Sequence, residues 1–129
     1  MDLMVSCLLI DKNLEERSRI SGLLDRLGVN SHQHSDMETA IRFCHENKPD
    51  IVMLEASALP EAKEFMRLVR YQSRNTGRPA VILYAIDASV AEMGDSILNG
   101  ASEFMMVPFD LDLLRFKLQQ SGILLAVAA

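Results

Sequence analysis

The chain has 129 residues, 49% of them hydrophobic and 24% charged, with a net charge of −5. That is enough chain for one domain with a real core, and the acidic balance speaks against a nucleic-acid surface or an anionic membrane surface. The N-terminal Met1-Asp2-Leu3-Met4 has neither a charged leader region nor a cleavage pattern, and no apolar run is long enough to span a bilayer. The chain therefore reads as cytoplasmic, with Cys7 and Cys44 as reduced core thiols and a disulfide between them as the minor alternative.

In chain order, Met4 to Ile10 is a nearly unbroken apolar run that ends at Asp11-Lys12-Asn13. Leu14 to Leu27 repeats apolar residues with helical spacing, Ile20, Leu23, Leu24 and Leu27 sharing a face, with Asn13 placed as cap and Gly28 as stop. Val29 to His34 is a polar strand suited to an edge, and Asp36 to Asn47 is a second helix capped by Ser35 or Asp36. His32 and His34 alternate onto one face of that strand, where solvated histidines are the ordinary outcome, and no metal site is expected.

Pro49-Asp50-Ile51-Val52-Met53-Leu54-Glu55 carries four apolar residues in a row into one carboxylate, the pattern of a strand buried on both faces. A loop over Ala56 to Pro60, a helix over Glu61 to Arg74 and a turn over Asn75 to Pro79 follow. Ala80 to Ala85 is another buried strand, Asp87 to Asn99 a helix closed by Gly100, and Phe104 to Val107 the last strand. Asp110 caps a helix from Leu111 to Gln120, and Ile123 to Ala129 forms an apolar tail beyond a domain of residues 1–122. The tail either extends the last helix over the core or frays into an Ala-Ala end of the kind bacterial proteases recognise. Five strands alternating with five helices require right-handed crossovers and a parallel sheet covered on both faces.

Three features together resemble a receiver domain of bacterial two-component response regulators, over residues 3 to 120. They are the apolar strand ending in Asp11, the Pro49-Asp50 strand ending in Glu55, and Gly100-Ala101-Ser102-Glu103-Phe104 leading to Pro108-Phe109-Asp110. The resemblance implies a flavodoxin-like (βα)5, doubly wound, five-stranded sheet in the order 2-1-3-4-5. It also implies a phosphorylation site, which this sequence does not keep. Glu55 stands where the acceptor Asp belongs. Asp11 matches the first of the magnesium-holding acidic pair, and Lys12 replaces the second. The hydroxyl position falls on Ala85 or Tyr84, according to the end from which it is counted, and Val107 replaces the Lys. Phe104 matches the aromatic whose rotamer reports activation in the family, although an aromatic on a short strand also serves as core.

These residues point to a stand-alone pseudo-receiver: no enzyme, no catalytic residue, no cofactor and no metal. Its output would be a phosphorylation-independent protein contact in a two-component or phosphorelay pathway. The alternative is an atypical receiver that still takes phosphate on Glu55 or another residue. By resemblance the partners are a histidine kinase, a phosphotransfer protein or another response regulator, and the domain itself is a monomer or weak homodimer. The expected contact face is helix 87–99, strand 104–107 and helix 111–120, including Glu92, Asp95, Phe104 and Arg115. Because Asp11 and Glu55 would repel each other at the end of the sheet, the Lys12 ammonium is expected between or beside them as a substitute for the metal.

Overall fold

The computed structural model describes residues 4–86 and 100–123. Strands β1 (Ser6–Ile10), β2 (Asn30–His34), β3 (Ile51–Glu55), β4 (Ala80–Ala85) and β5 (Glu103–Met106) form one parallel sheet in the order β2-β1-β3-β4-β5. Helices α1 (Leu14–Arg26), α2 (Met37–Glu46), α3 (Lys63–Ser73) and α4 (Leu111–Gln120) accompany them. The helix expected over 87–99, with Glu92 and Asp95, lies outside the described residues, as does the tail beyond Ile123. Among the described residues no helix is long and apolar enough to cross a membrane.

The two-residue period of a strand sends alternate side chains to opposite faces, so an unbroken apolar run builds two cores at once. Cys7, Leu9, Met53, Ile82 and Met105 join Ile20 and Leu24 of α1 and Leu114 and Leu118 of α4. Leu8, Val52, Leu54, Val81 and Leu83 join Ala40 and Cys44 of α2 and Phe65 and Val69 of α3. Ile123 is buried in the first of these cores. The one described strand with no buried residue, β2, occupies an edge, where polar side chains cost nothing.

Capping follows local chemistry. The side chains of Asn13, Asp36 and Asp110 accept the backbone N–H of Glu16, Thr39 and Leu113, three residues into α1, α2 and α4. The stretch after β3 departs from the expected loop and helix start: Ala56–Glu61 is a 3₁₀ helix, and α3 begins only at Lys63. Pro60 has no N–H to offer a continuous α-helical ladder, and Ala62 at the N-cap has no side chain to cap with. At the carboxyl end of β5, Val107 donates its N–H to Ala85 O at 2.8 Å, after which Pro108 cannot continue the pairing.

Asp50 ties the amino ends of three strands together. Its carboxylate accepts the Ser6 N–H at 2.9 Å and Arg78 Nη1 at 2.8 Å, while its backbone donates to Ser6 O and accepts from Ala80 N. Asp50→Ala should lower stability by about 1–2 kcal/mol, the range of charged hydrogen bonds discounted for partial exposure, read as a shift in urea midpoint. An unchanged midpoint would show that the backbone pairing alone sets this register.

Candidate functional site

The carboxyl ends of β1 and β3 and the start of α2 enclose a cleft of about 140 Å³. Its lining includes Asp11, Lys12, Asp36, Glu55, Ser57 and Glu61, four carboxylates against one ammonium. Of these Asp11 is buried, at 5% exposure. A carboxylate so placed is stable only if its oxygens are met by donors, and they are. Tyr84 donates its hydroxyl to Asp11 Oδ2 at 2.7 Å, and the Asn13 N–H donates to Oδ1 at 2.8 Å. Arg17 reaches the Asp11 carbonyl at 2.6 Å and holds Gln33 of β2 at 3.1 Å.

Tyr84 is fully buried in the α1/α4 core, and β4 pairs it directly with Glu55. Burial pushes the phenol far above its ordinary range, and the Asp11 carboxylate raises it further, so the hydroxyl stays a donor. Its ring meets Phe109 edge-on at 6.2 Å. Arg19 of α1 lies 5.1 Å over Phe109, donates to the Phe109 carbonyl at 3.0 Å and pairs with Glu16 at 2.6 Å. A continuous path of contacts therefore runs from Asp11 through Tyr84 and Phe109 to α1.

The expected place of Lys12 is wrong. Its ammonium meets Glu61 at 3.9 Å with both side chains largely exposed, and it makes no ion pair with Asp11 or Glu55. A solvated ammonium avoids the desolvation that a buried triad would impose, and the neutral Tyr84 hydroxyl satisfies Asp11 without a second charge. Glu55, half-buried, turns back on its own loop and accepts the Ser57 N–H.

The remaining residues at the site positions are apolar or distant from the cleft. Ala85 and Val107 are both 8% exposed, and Val107 belongs to the α1/α4 core. Of the two candidates for the hydroxyl position, Tyr84 is the one that touches Asp11. Phe104 is half-buried against the α2/α3 core, and Arg115 is exposed and paired with Asp112 at 3.2 Å. Arg17, Arg19 and Ser57 were not singled out from the sequence. Their roles depend on backbone carbonyls and N–H groups, which carry no sequence signal.

A magnesium ion, which the receiver resemblance implies, does not fit this donor set. A hard cation needs about six oxygens in octahedral array. Here each Asp11 oxygen already carries an internal donor, and Lys12 occupies the second acidic position. Among the described residues no group of three or more His, Cys, Asp or Glu could hold a metal.

Beside the cleft, His34 of β2 hydrogen-bonds Thr39 Oγ1 at 2.9 Å, and Asp36 caps the Thr39 N–H. His32 and His34 both pack on Phe43, at 4.8 and 5.5 Å. Burial holds His34 below its ordinary 6.5, with His32 and Arg17 adding to the shift and Asp36 opposing it. The Asp36 carboxylate, held down by its bonds to Thr39, does not titrate in that window.

No protein-family model matches the chain. The Regulatory protein AtoC of Escherichia coli K12 is 25% identical over 114 residues, 88% of this chain and 24% of that protein, so the chain spans about a quarter of its relative's length. Among solved structures, a response regulator from Thermotoga maritima matches with TM-score 0.80 and 19% identity, covering 92% of this chain and 98% of that one. The chemotaxis protein CheY4 of Vibrio cholerae matches with TM-score 0.78 at 21% identity and the same coverages. So does the receiver domain of a sensor histidine kinase from Pseudomonas aeruginosa, with a magnesium ion coordinated in its active-site cleft, at TM-score 0.75 and 21% identity. The fold is that of response regulator receiver domains.

Two outcomes follow from this geometry. Tyr84→Phe keeps the ring and removes the donor from a buried carboxylate. It should cost about 1–3 kcal/mol, while Lys12→Ala, which breaks only a loose exposed pair, should shift the denaturant midpoint by less than about 0.5 kcal/mol. Equal effects of the two would remove Tyr84 as the partner that matters. For His34, a folded-state value below the unfolded one means the unfolded chain binds the proton more readily. Stability is therefore present above 6.5 and declines as pH falls through and below it. Denaturant midpoints compared at about pH 7.5 and about pH 5 should converge in His34→Gln. A wild-type midpoint indifferent to pH there excludes the coupling.

Proposed function

We propose that the chain is a pseudo-receiver, a signalling module that acts by phosphorylation-independent protein binding in a two-component or phosphorelay pathway. The observation that carries this reading is the closure of Asp11 on its own domain, with Tyr84 and Asn13 occupying both carboxylate oxygens. The positions that would hold a metal and contact a phosphoryl group are taken by an outward-turned Lys12, a buried Ala85 and a buried Val107. The reading includes no catalytic step. The output is a contact held in one state, with a histidine kinase, a phosphotransfer protein or another response regulator as partner.

The contact face includes β5 and α4, where Met106, Leu113 and Phe116 are exposed apolar residues beside Arg115. Exposed aromatic and apolar side chains next to an Arg are the composition of protein interfaces. A second reading, phosphorylation on Glu55, has one observation in its favour: Glu55 lines the cleft and is only partly buried.

One pair of measurements tests the proposal. Treatment with acetyl phosphate and magnesium should leave the intact mass unchanged. Arg115→Glu should weaken capture of a receiver-binding histidine kinase about tenfold without lowering stability. A mass gain mapped to Glu55 establishes the second reading. Normal capture by the Arg115 variant moves the contact face elsewhere.

A further inference from the structure

Charge is unevenly placed along this acidic chain. Five of its 13 cationic residues fall within residues 63–78, against one, Glu64, of its 18 acidic ones. The remainder carries 8 cations and 17 carboxylates. Within the cationic segment Lys63, Arg67, Arg70 and Arg74 are spaced i, i+4, i+7 and i+11. At 100° per residue that spacing confines them to an arc of about 60° and spreads them over about 16 Å of helix. Lys63, Arg67 and Arg70 lie on α3, Arg74 is its C-cap with helical dihedrals, and all four are exposed. The apolar residues Phe65, Met66 and Val69 turn to the core, leaving the cationic stripe outward.

Among the described residues Lys63 and Arg67 take part in no ion pair, whereas the exposed cations Arg42 and Arg115 are each paired within their own helix. Arg70 leans on the chain at Gly100, whose Cβ would stand 3.0 Å from Arg70 Nε, so that guanidinium is directed by the fold. Arg74 is likewise pre-set: it stacks 3.8 Å over the Tyr71 ring and donates to the Tyr71 carbonyl at 2.9 Å. Tyr71 itself is 64% exposed. A row of exposed cations on one helix face, two of them held in place, with an exposed aromatic beside it, is suited to carboxylates or phosphates.

We propose that this stripe on α3 is a docking surface for an acidic helical segment of a partner protein, presenting carboxylates at the same 4-3-4 spacing. A short helix matches the stripe residue for residue and ends where it ends. A longer polyanion, such as a nucleic acid strand, would extend beyond the stripe of a chain whose other residues carry 8 cations against 17 carboxylates. The proposal is independent of the cleft and of the β5 and α4 face.

The test uses the full chain, 15N-labelled, and two helical peptides of about 14 residues and identical composition. One carries Glu at i, i+4, i+7 and i+11, and the other distributes the same Glu residues around the helix. The striped peptide should shift the resonances of Lys63, Arg67 and Arg74. The scrambled one should bind about tenfold more weakly, and Arg67→Glu should lose about tenfold for the striped peptide with its circular dichroism unchanged. Lys63→Glu, at an equally exposed position, repeats the test should Arg67→Glu misfold. Equal affinity for both peptides, shifts centred elsewhere, or tighter binding of hexauridylate RNA or of phosphatidylserine vesicles overturns the proposal.

Discussion

A carboxylate at the end of a buried parallel sheet has to be answered, and the hydrogen bond from Tyr84 to Asp11 answers it. Asp11 is the buried charged residue at the point where β1 leaves the sheet, and its environment would be untenable without donors. A neutral hydroxyl supplies the donor without importing a second ion, so the desolvation cost is that of one charge. Everything nearby follows from this choice. Lys12 is free to stay in water, Glu55 can fold back onto Ser57, and the cleft keeps its excess of negative charge.

The same tyrosine also joins the carboxyl end of β1 to the connection after β5. Through Phe109 it touches the connection after β5, and through Phe109 and Arg19 it reaches α1. Packing and hydrogen bonds therefore fill the space around Asp11 and Tyr84 at this end of the sheet. Bistable switching needs two arrangements of similar free energy. A filled hydrogen-bond network with a fully buried aromatic at its centre favours one arrangement of this end of the sheet.

Surface charge adds a separate layer. The cleft end of the sheet is acidic while α3 is cationic, so the molecule presents two surfaces of opposite sign. Such separation costs little in stability, because exposed charges are screened within about 10 Å at moderate salt. It does bias which partner approaches which face.

The two-sided core and the edge position of β2 were legible in the sequence, because unbroken apolar runs and a polar run have only a few places in a parallel sheet, while the strand order was legible only through the resemblance to receiver domains. The caps Asn13 and Asp110 were legible too, and Asp36 as one of two candidates beside Ser35, since all three act on backbone within their own turn. The cleft was legible only as positions in the chain, Asp11, Lys12 and Glu55 among its lining. What those positions could not contain was direction. Lys12 and Tyr84 both start near Asp11, and which of them meets it depends on the relative cost of desolvating an ammonium and a hydroxyl in that packing. The 3₁₀ turn after β3 and the contacts of Arg17, Arg19 and Ser57 with neighbouring backbone were settled in the same way. Composition and periodicity determine which residues are buried and roughly where the chain turns. Only the folded packing, through the three-dimensional competition for a few buried donors and acceptors, decides which polar groups meet.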